Sequence, residues 1–575
     1  MAYDYTRDTI ADIPARGALL YCDMPALGMA GGSTITYKEL ELQSRRAAAR
    51  LMAMNVRTGD RVLILSENRP EWGIASFAVA RAGAVAVPVL TDFSADQIRA
   101  IAEHSGATVA YASSKQEGKL AGLGLHVLAI KDLSTLPTAD DSGVAFIQPE
   151  IRPSDLAAIV YTSGTTGAPK GVMLTHANYL SDALACRPVI SLRTDDVALS
   201  ILPLAHTYEY TIGFLIPMMS GASVRYLDRP PSSSVLLPAL AAVRPTIVLS
   251  VPLVIEKIYR AAVQPGLERL TLYRSPMARR LLERLAGAKL RRSFGGRLRF
   301  FGIGGAPLDP EVERFLLSAR FPFAIGYGLT ETAPIIVAAA VGKTGPRLTG
   351  TALPGADIVI ADAKQEDGGR EVGELRVKGP MVFSGYYKDP ARTADAFDQN
   401  GYFRTGDLAS RDEGGRIRLR GRLKTMILGP TGENIYPEDV EAVLNSSPWV
   451  AESLVYGGED GLAALIMLKP ELVEELGACV VDGMKGAERA AARWGAVIGA
   501  AILSAEKSAE KAVVRVLDAV RRETNARLAG FSRLSRVYAQ TEPFEKTPTQ
   551  KIKRYLYPRS SQKEPEAQDA STVSA

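Results

Sequence analysis

The chain has 575 residues, 47% apolar and 23% charged, with 68 Lys and Arg against 63 Asp and Glu, the composition of an ordinary globular protein of two or three structural blocks. Its 51 glycines and 34 prolines are near average usage, which excludes collagen-like and low-complexity chains. Three cysteines and four histidines stand without CxxC, HExxH or HxxxH spacing, which excludes a disulfide framework and a structural zinc site.

The opening MAYDYTRDTIADIP lacks the apolar core of a signal peptide, and no apolar run reaches the ~18 residues that span a bilayer, so a cytoplasmic protein is expected. The formal charge of +5 reads as spread along the chain, without basic 5–8-mers, and no nucleic acid is expected as a partner. Arg291-Arg292 and the Arg416–Lys424 segment fit solvated faces, the commoner case, or peripheral association with the inner face of a membrane. A homodimer is left open.

Between about 60 and 330, short apolar runs alternate with helical patterns. DRVLILS (60–66), AVAVPV (84–89) and TVAYA (108–112) read as strands, with helices in PEWGIASFAVARAG (70–83) and ADQIRAIAEHSG (95–106). VALSIL (197–202), SVRYL (223–227), PTIVLSV (245–251) and RLRFFGI (297–303) continue the pattern. Such runs predict a doubly wound α/β region whose parallel strands are buried on both faces, in one sheet or two. Asp309-Pro310 reads as an N-cap followed by proline at the first helical position. GELRVKG (373–379) and GRIRLRG (415–421) alternate with period two and predict antiparallel structure. YPEDVEAVL, SLVYG and LAALIML (436–468) suggest a small α+β unit, interrupted by one long Ala/Arg/Glu-rich helical stretch (487–528). The polar residues 560–575 read as a disordered tail.

The strongest local feature is YTSGTTGAPKGVMLTH (161–176), a hydroxyl- and glycine-rich loop after an apolar strand, suited to phosphate oxygens. It is not a Walker A loop, because Pro169 and Gly171 flank Lys170. Pro307 removes the third glycine of a dinucleotide fingerprint, and Tyr161 stands where a nucleophile elbow needs glycine before Ser163. Phosphate binding survives these exclusions.

With GYGLTET (326–332), YFRTGD (402–407), GRLKTMI (421–427) and EKTPTQKIKR (545–554), the segment resembles, in order, the motifs of the adenylate-forming superfamily of acyl-CoA synthetases, peptide-synthetase adenylation domains and luciferase. The resemblance implies a large N-terminal nucleotide- and acyl-binding domain over 1–421, with doubly wound sheets and a β-rich subdomain. A hinge at 422–424, with Lys424 at the hinge position, would lead to a small mobile α+β C-terminal domain over 425–559. It implies ATP, Mg²⁺ and CoA. Thr162, Ser163, Gly164, Thr165, Thr166, Gly167 and Lys170 would hold the β/γ-phosphates, Thr330 the α-phosphate and Glu331 the metal. Gly304, Gly305, Gly326, Tyr327 and Gly328 would border adenine, and Asp407 with Arg422 the ribose. Lys551 would be the catalytic lysine of adenylation, although Gln550 departs from a glycine common in the family, and GPTGENIYP (429–437) is a residue longer than the common loop.

ILPLAHTYEYTIGFLIPMMSGASVRYL (201–227) most resembles long-chain fatty acyl-CoA synthetases, with His206 at the acyl entrance. Met218 and Met219 suit an alkyl chain or ordinary core packing equally. The expected activity is an AMP-forming long-chain fatty acid:CoA ligase. The rivals are an acyl-AMP ligase that loads a carrier protein and a non-catalytic regulator that binds acyl-adenylate.

Overall fold

The computed structural model describes residues 3–135, 146–162, 169–366, 370–428, 434–458, 461–482, 484–505, 508–546 and 552–557. Its contacts divide the chain into two compact units. One comprises Met1–Thr405 with Ser410–Arg418, and the other Gly406–Ala409 with the chain from Leu419 onward. The tail expected at 560–575 lies outside the described residues.

The first unit contains two large sheets. In the seven-stranded one, Val85–Pro88, Arg61–Leu65, Val109–Ala112 and His126–Ala129 are parallel neighbours in that spatial order. The side chains of the first three are almost all apolar and buried, so both faces need cover, and the intervening helices supply it, whereas the edge strand His126–Ala129 buries only Leu128. Helix Pro70–Arg81 buries Trp72 and the run Ile74–Ala80, and is apolar on every side because it is a core element. Helix Ala95–Ser105 starts at Ser94, whose side chain accepts from the Gln97 amide, and stops at Gly106 with φ +66°.

The sheet is not parallel throughout. Leu156–Thr162 joins Val85–Pro88 in parallel, but Lys170–Thr175 returns antiparallel beside it, and Gly385–Tyr386 closes that edge antiparallel. The nine-stranded sheet has the same plan. Phe323–Gly328, Phe300–Ile303, Ile247–Ser250, Val197–Ser200, Ser223–Tyr226 and Pro25–Met29 run parallel in that order, and antiparallel strands finish both edges.

Helix His176–Ile190 connects the two sheets through polar side chains that its buried position would otherwise penalise. Asn178 donates to the carbonyls of Pro380 (2.8 Å) and Val382 (2.9 Å), and buried Asp182 accepts from the Ile335 amide (3.1 Å). Burial holds the Asp182 carboxyl well above the usual range.

The two period-two segments are strands, Arg370–Lys378 and Ile417–Arg422. The first pairs antiparallel with Asp357–Glu366 in a four-stranded sheet, along which the chain passes from one unit to the other. In the second unit Val450–Gly458 pairs antiparallel with Gly461–Leu468, which is parallel to Leu534–Ala539. The stretch expected as one helical segment is divided into Met484–Trp494, Ala496–Leu503 and Ala509–Asn525. Gly495, at φ +99°, cannot continue a right-handed helix. Dividing the stretch lets Ala487, Ile498 and Val516 enter one core with Trp449 and Leu472.

Helix Pro310–Ser318 begins as expected, with Asp309 Oδ1 accepting from the Glu311 (2.8 Å) and Val312 (3.1 Å) amides while Oδ2 pairs with Arg260 (2.9 Å). Replacing Asp309 with Ala is expected to cost about 1 kcal/mol or slightly more, read as a lower denaturant midpoint for the first unit.

Candidate active site

Thr162 and Lys170 are register partners on adjacent antiparallel strands, so the hydroxyl- and glycine-rich segment joins strand to strand, unlike the strand-to-helix loop of nucleotide-binding P-loops. Ser163, Gly164, Thr165, Thr166 and Gly167 lie outside the described residues. Lys170 is placed, and its Nζ lies 2.9 Å from Glu331 Oε1. The Tyr386 hydroxyl donates to the same oxygen at 3.0 Å, and Lys170 Nζ stands 4.4 Å from the centre of the Tyr386 ring. Only 8% of the Glu331 side chain is exposed, so its charge is balanced by the ammonium and not by bulk water. Burial first, and the neighbouring carboxylate second, hold the Tyr386 phenol above its usual range, which keeps it a donor. Tyr386 was not singled out by sequence. Its register pairing with Val172, two residues beyond Lys170, puts it there.

Glu331 is positioned by the segment that carries it. Strand Phe323–Gly328 ends at Gly328, where a Cβ would lie 1.7 Å from the Pro334 carbonyl oxygen, so glycine is obligatory there. The single turn Thr330–Thr332 follows, and the Thr332 hydroxyl takes up the Leu329 amide at 2.9 Å. Gly326, Tyr327, Gly328 and Thr330 are half-exposed while Glu331 is buried, so the segment offers a surface with one carboxylate set beneath it. Among the described residues no cluster of three or more His, Cys, Asp or Glu could hold a metal unaided.

Gly304 and Gly305 follow strand Phe300–Ile303. Gly304 is buried and Gly305 exposed, the latter with φ +88°. The Tyr208 ring packs against this backbone, and a Cβ on Gly304 would meet it at 3.2 Å. His206 stands immediately before the helical run that becomes π-helical over Glu209–Leu215, and its carbonyl accepts from the Tyr210 amide at 2.9 Å. Met218 and Met219 are fully buried in the core.

Glu209 was not anticipated. It is 1% exposed between two tyrosines, and burial pushes its carboxyl up to about 8, against a lowering hydrogen bond from Ser200. A neutral carboxylic acid at pH 7 is a hydrogen-bond donor as well as an acceptor, set inside the segment that carries His206.

In the second unit, Asp407 Oδ1 pairs with Arg422 Nε at 2.9 Å. The Leu423 amide donates to the Gly406 carbonyl at 2.8 Å, which ties the two segments expected at the ribose to each other. Lys424 is exposed in the turn that the Arg422 carbonyl organises by accepting from the Thr425 and Met426 amides. Lys551 and residues 429–433 lie outside the described residues. Lys546 and Ile552 form an isolated β-bridge, and Arg554 pairs with buried Glu441, whose carboxyl burial lifts to about 7 despite that arginine.

The model of the AMP-binding enzyme family matches residues 15–387, so the chain belongs to the AMP-binding enzymes. Among curated relatives, long-chain-fatty-acid–CoA ligase FadD15 of Mycobacterium tuberculosis is 32% identical over 76% of this chain and 78% of its own. Long chain acyl-CoA synthetase 6, peroxisomal, of Arabidopsis thaliana is 30% identical over 90% and 79%, and a feruloyl-CoA synthase of Amycolatopsis 31% over 76% and 84%. Among solved structures, O-succinylbenzoate coenzyme A synthetase of Bacillus subtilis in complex with AMP superposes with TM-score 0.71 at 25% identity, covering 96% of this chain and 99% of that one.

The buried Glu209 sets a pH signature. Its folded value exceeds the ordinary 4.5, so the stability that its neutral form carries is complete below that pH and is lost as pH rises toward about 8. Glu209→Gln is expected to flatten the fall in unfolding midpoint between about pH 5 and pH 8, by up to roughly 1.4 kcal/mol per pH unit. Equal falls in variant and parent would contradict a neutral buried acid.

Proposed function

We propose that this AMP-forming acyl-CoA synthetase joins a long-chain fatty acid to CoA. The observation that carries the reading is the Lys170–Glu331 contact at 2.9 Å, which brings together, across 161 residues of sequence, a cation suited to phosphate and a carboxylate suited to Mg²⁺. The two bonds to Glu331 both fall on Oε1, which leaves Oε2 for a hard cation. The named activities of the relatives support the acid and the thiol.

In the first step a fatty acid carboxylate oxygen attacks the α-phosphorus of ATP and pyrophosphate leaves. In the second the CoA sulfur attacks the acyl carbon and AMP leaves. Lys170, with Thr162, Ser163, Gly164, Thr165, Thr166 and Gly167, holds the β/γ-phosphates, and Thr330 the α-phosphate. Glu331 would hold Mg²⁺, and the cation would supply positive charge to the phosphates. Tyr327 with Gly304, Gly305, Gly326 and Gly328 borders adenine, and Asp407 and Arg422 hold the ribose. Lys551 bridges the carboxylate and the α-phosphate during adenylation, and a hinge at 422–424, with Lys424, removes it for the second step. His206 flanks the acyl entrance. We assign domains to 1–421 and 425–559, with peripheral membrane contact and a homodimer as the finer reading of its assembly. Burial at roughly 0.8 kcal/mol per CH₂ is ample to bind a long alkyl tail without polar recognition.

Fatty-acid-dependent ATP/pyrophosphate exchange without CoA, then CoA-dependent AMP release, is the expected result. Acyl transfer only to a carrier protein, exchange only with an aryl acid, or no exchange with any acid would overturn the reading. Lys551→Ala is expected to suppress exchange by about 10²-fold or more while sparing thioester formation from supplied acyl-AMP. Tyr386→Phe keeps the ring over Lys170 and removes one donor to Glu331. It is expected to raise the Mg²⁺ concentration needed for half-maximal exchange, and to change Mg²⁺-dependent ATP binding measured by calorimetry, more than it lowers kcat.

A further inference from the structure

The surplus of positive charge is not spread evenly along the chain. Residues 269–299 hold ten Lys and Arg and one acidic residue, Glu283. Glu283 is buried and faces Tyr273 and Arg279, so it offers nothing to the outside. Helix Pro276–Ser293 packs into the first unit through Glu283, Gly287 and Leu290, and a Cβ on Gly287 would lie 2.6 Å from that of Ala319.

The outward face is unlike that of a solvated helix. At 3.6 residues per turn, Met277, Leu281 and Leu285 form one line about 12 Å long on the side away from the buried residues. They are 89%, 61% and 59% exposed, and Leu272 and Leu270, at 67% and 44%, extend the patch through the adjoining turn. Arg280, Arg284 and Arg291 follow one flank of the line and Lys289 the other, all exposed, and none forms a salt bridge among the described residues. Single exposed leucines are ordinary. Four leucines and a methionine in one patch, bordered by cations with no salt bridge among the described residues, are not.

We propose that helix Pro276–Ser293 docks this protein on an anionic lipid bilayer, with Met277, Leu281 and Leu285 entering the acyl boundary and the flanking arginines meeting lipid phosphates. The charge and the apolar line together select the occupant. A nucleic acid would satisfy the cations but gains nothing from outward leucines, whereas a bilayer presents anions and hydrocarbon a few ångströms apart. No helix among the described residues is long and apolar enough to cross a membrane, so contact through this helix is one of surface seating. The docking surface deepens the fatty-acid reading, because a long-chain acid partitions into bilayers, but lipid binding itself requires neither ATP nor turnover.

The test is cosedimentation of the full-length protein with vesicles of neutral phosphatidylcholine and with vesicles that add about one-third phosphatidylglycerol. Anionic vesicles are expected to bind at least tenfold better at low salt, with the preference shrinking as salt rises. Leu281→Asp with Leu285→Asp, and separately Arg280→Glu with Arg284→Glu and Arg291→Glu, are expected to lower binding at least tenfold with unchanged circular dichroism. Both variants are expected to keep the parental rate on acid presented in solution on albumin, and to lose rate on acid carried in anionic vesicles. Equal binding to neutral and anionic vesicles, parental vesicle binding by both variants, or tighter binding to single-stranded RNA than to vesicles would overturn the proposal. Vesicle binding without fatty-acid activation would instead refute the function and leave the docking surface standing.

Discussion

A buried carboxylate must find a partner, and the partner that Glu331 finds is Lys170, from the edge of the other large sheet. Leaving either charge alone would cost about 3–5 kcal/mol, so the pair constrains how the two sheets meet. The Tyr386 hydroxyl and the contact of the Phe383 amide with the Glu331 carbonyl (2.9 Å) hold the same point from the strand beyond Lys170. The arrangement suits exchange of partners. On the proposed roles, phosphate would take Lys170 and a divalent cation Glu331, and each charge would stay compensated.

Several buried polar groups of the first unit are satisfied by backbone or kept neutral. Asn178 spends its amide on the carbonyls of Pro380 and Val382. His176 is fully buried, its Nδ1 accepts from the Ile10 amide, and burial lowers its pKa to about 4, so it carries no charge at neutral pH. Asp182 and Glu209 are moved the other way by the same desolvation, which penalises the charged form of each group. Burial thus disfavours charge at His176, Asp182 and Glu209 alike.

Outward, the molecule reverses this economy. Helix Pro276–Ser293 turns Glu283, Gly287 and Leu290 inward and Met277, Leu281, Leu285 and most of its arginines outward. A helix that obeys amphipathic packing on its inner face and violates it on its outer face signals a second apolar surface to be met, and here that surface carries the opposite charge.

The parallel strands from Arg61 to Ala112, the N-cap at Asp309, and the order of the family motifs were legible in the chain itself, because each depends on local periodicity or on residue chemistry at short spacing, whereas the short half-buried strand His126–Ala129 carries too weak a pattern to be read. The break at Gly495 escaped because composition there favours helix throughout, and only backbone sign decides. Tyr386 and Glu209 escaped for a different reason. A tyrosine in a strand and a glutamate between tyrosines acquire meaning only from what folding places against them, a carboxylate 3.0 Å away in one case and a dry enclosure in the other. Residue identity determined which charges and glycines were available. Tertiary structure decided which of them lost water, and desolvation is what turns a common side chain into a paired, neutral or functional one.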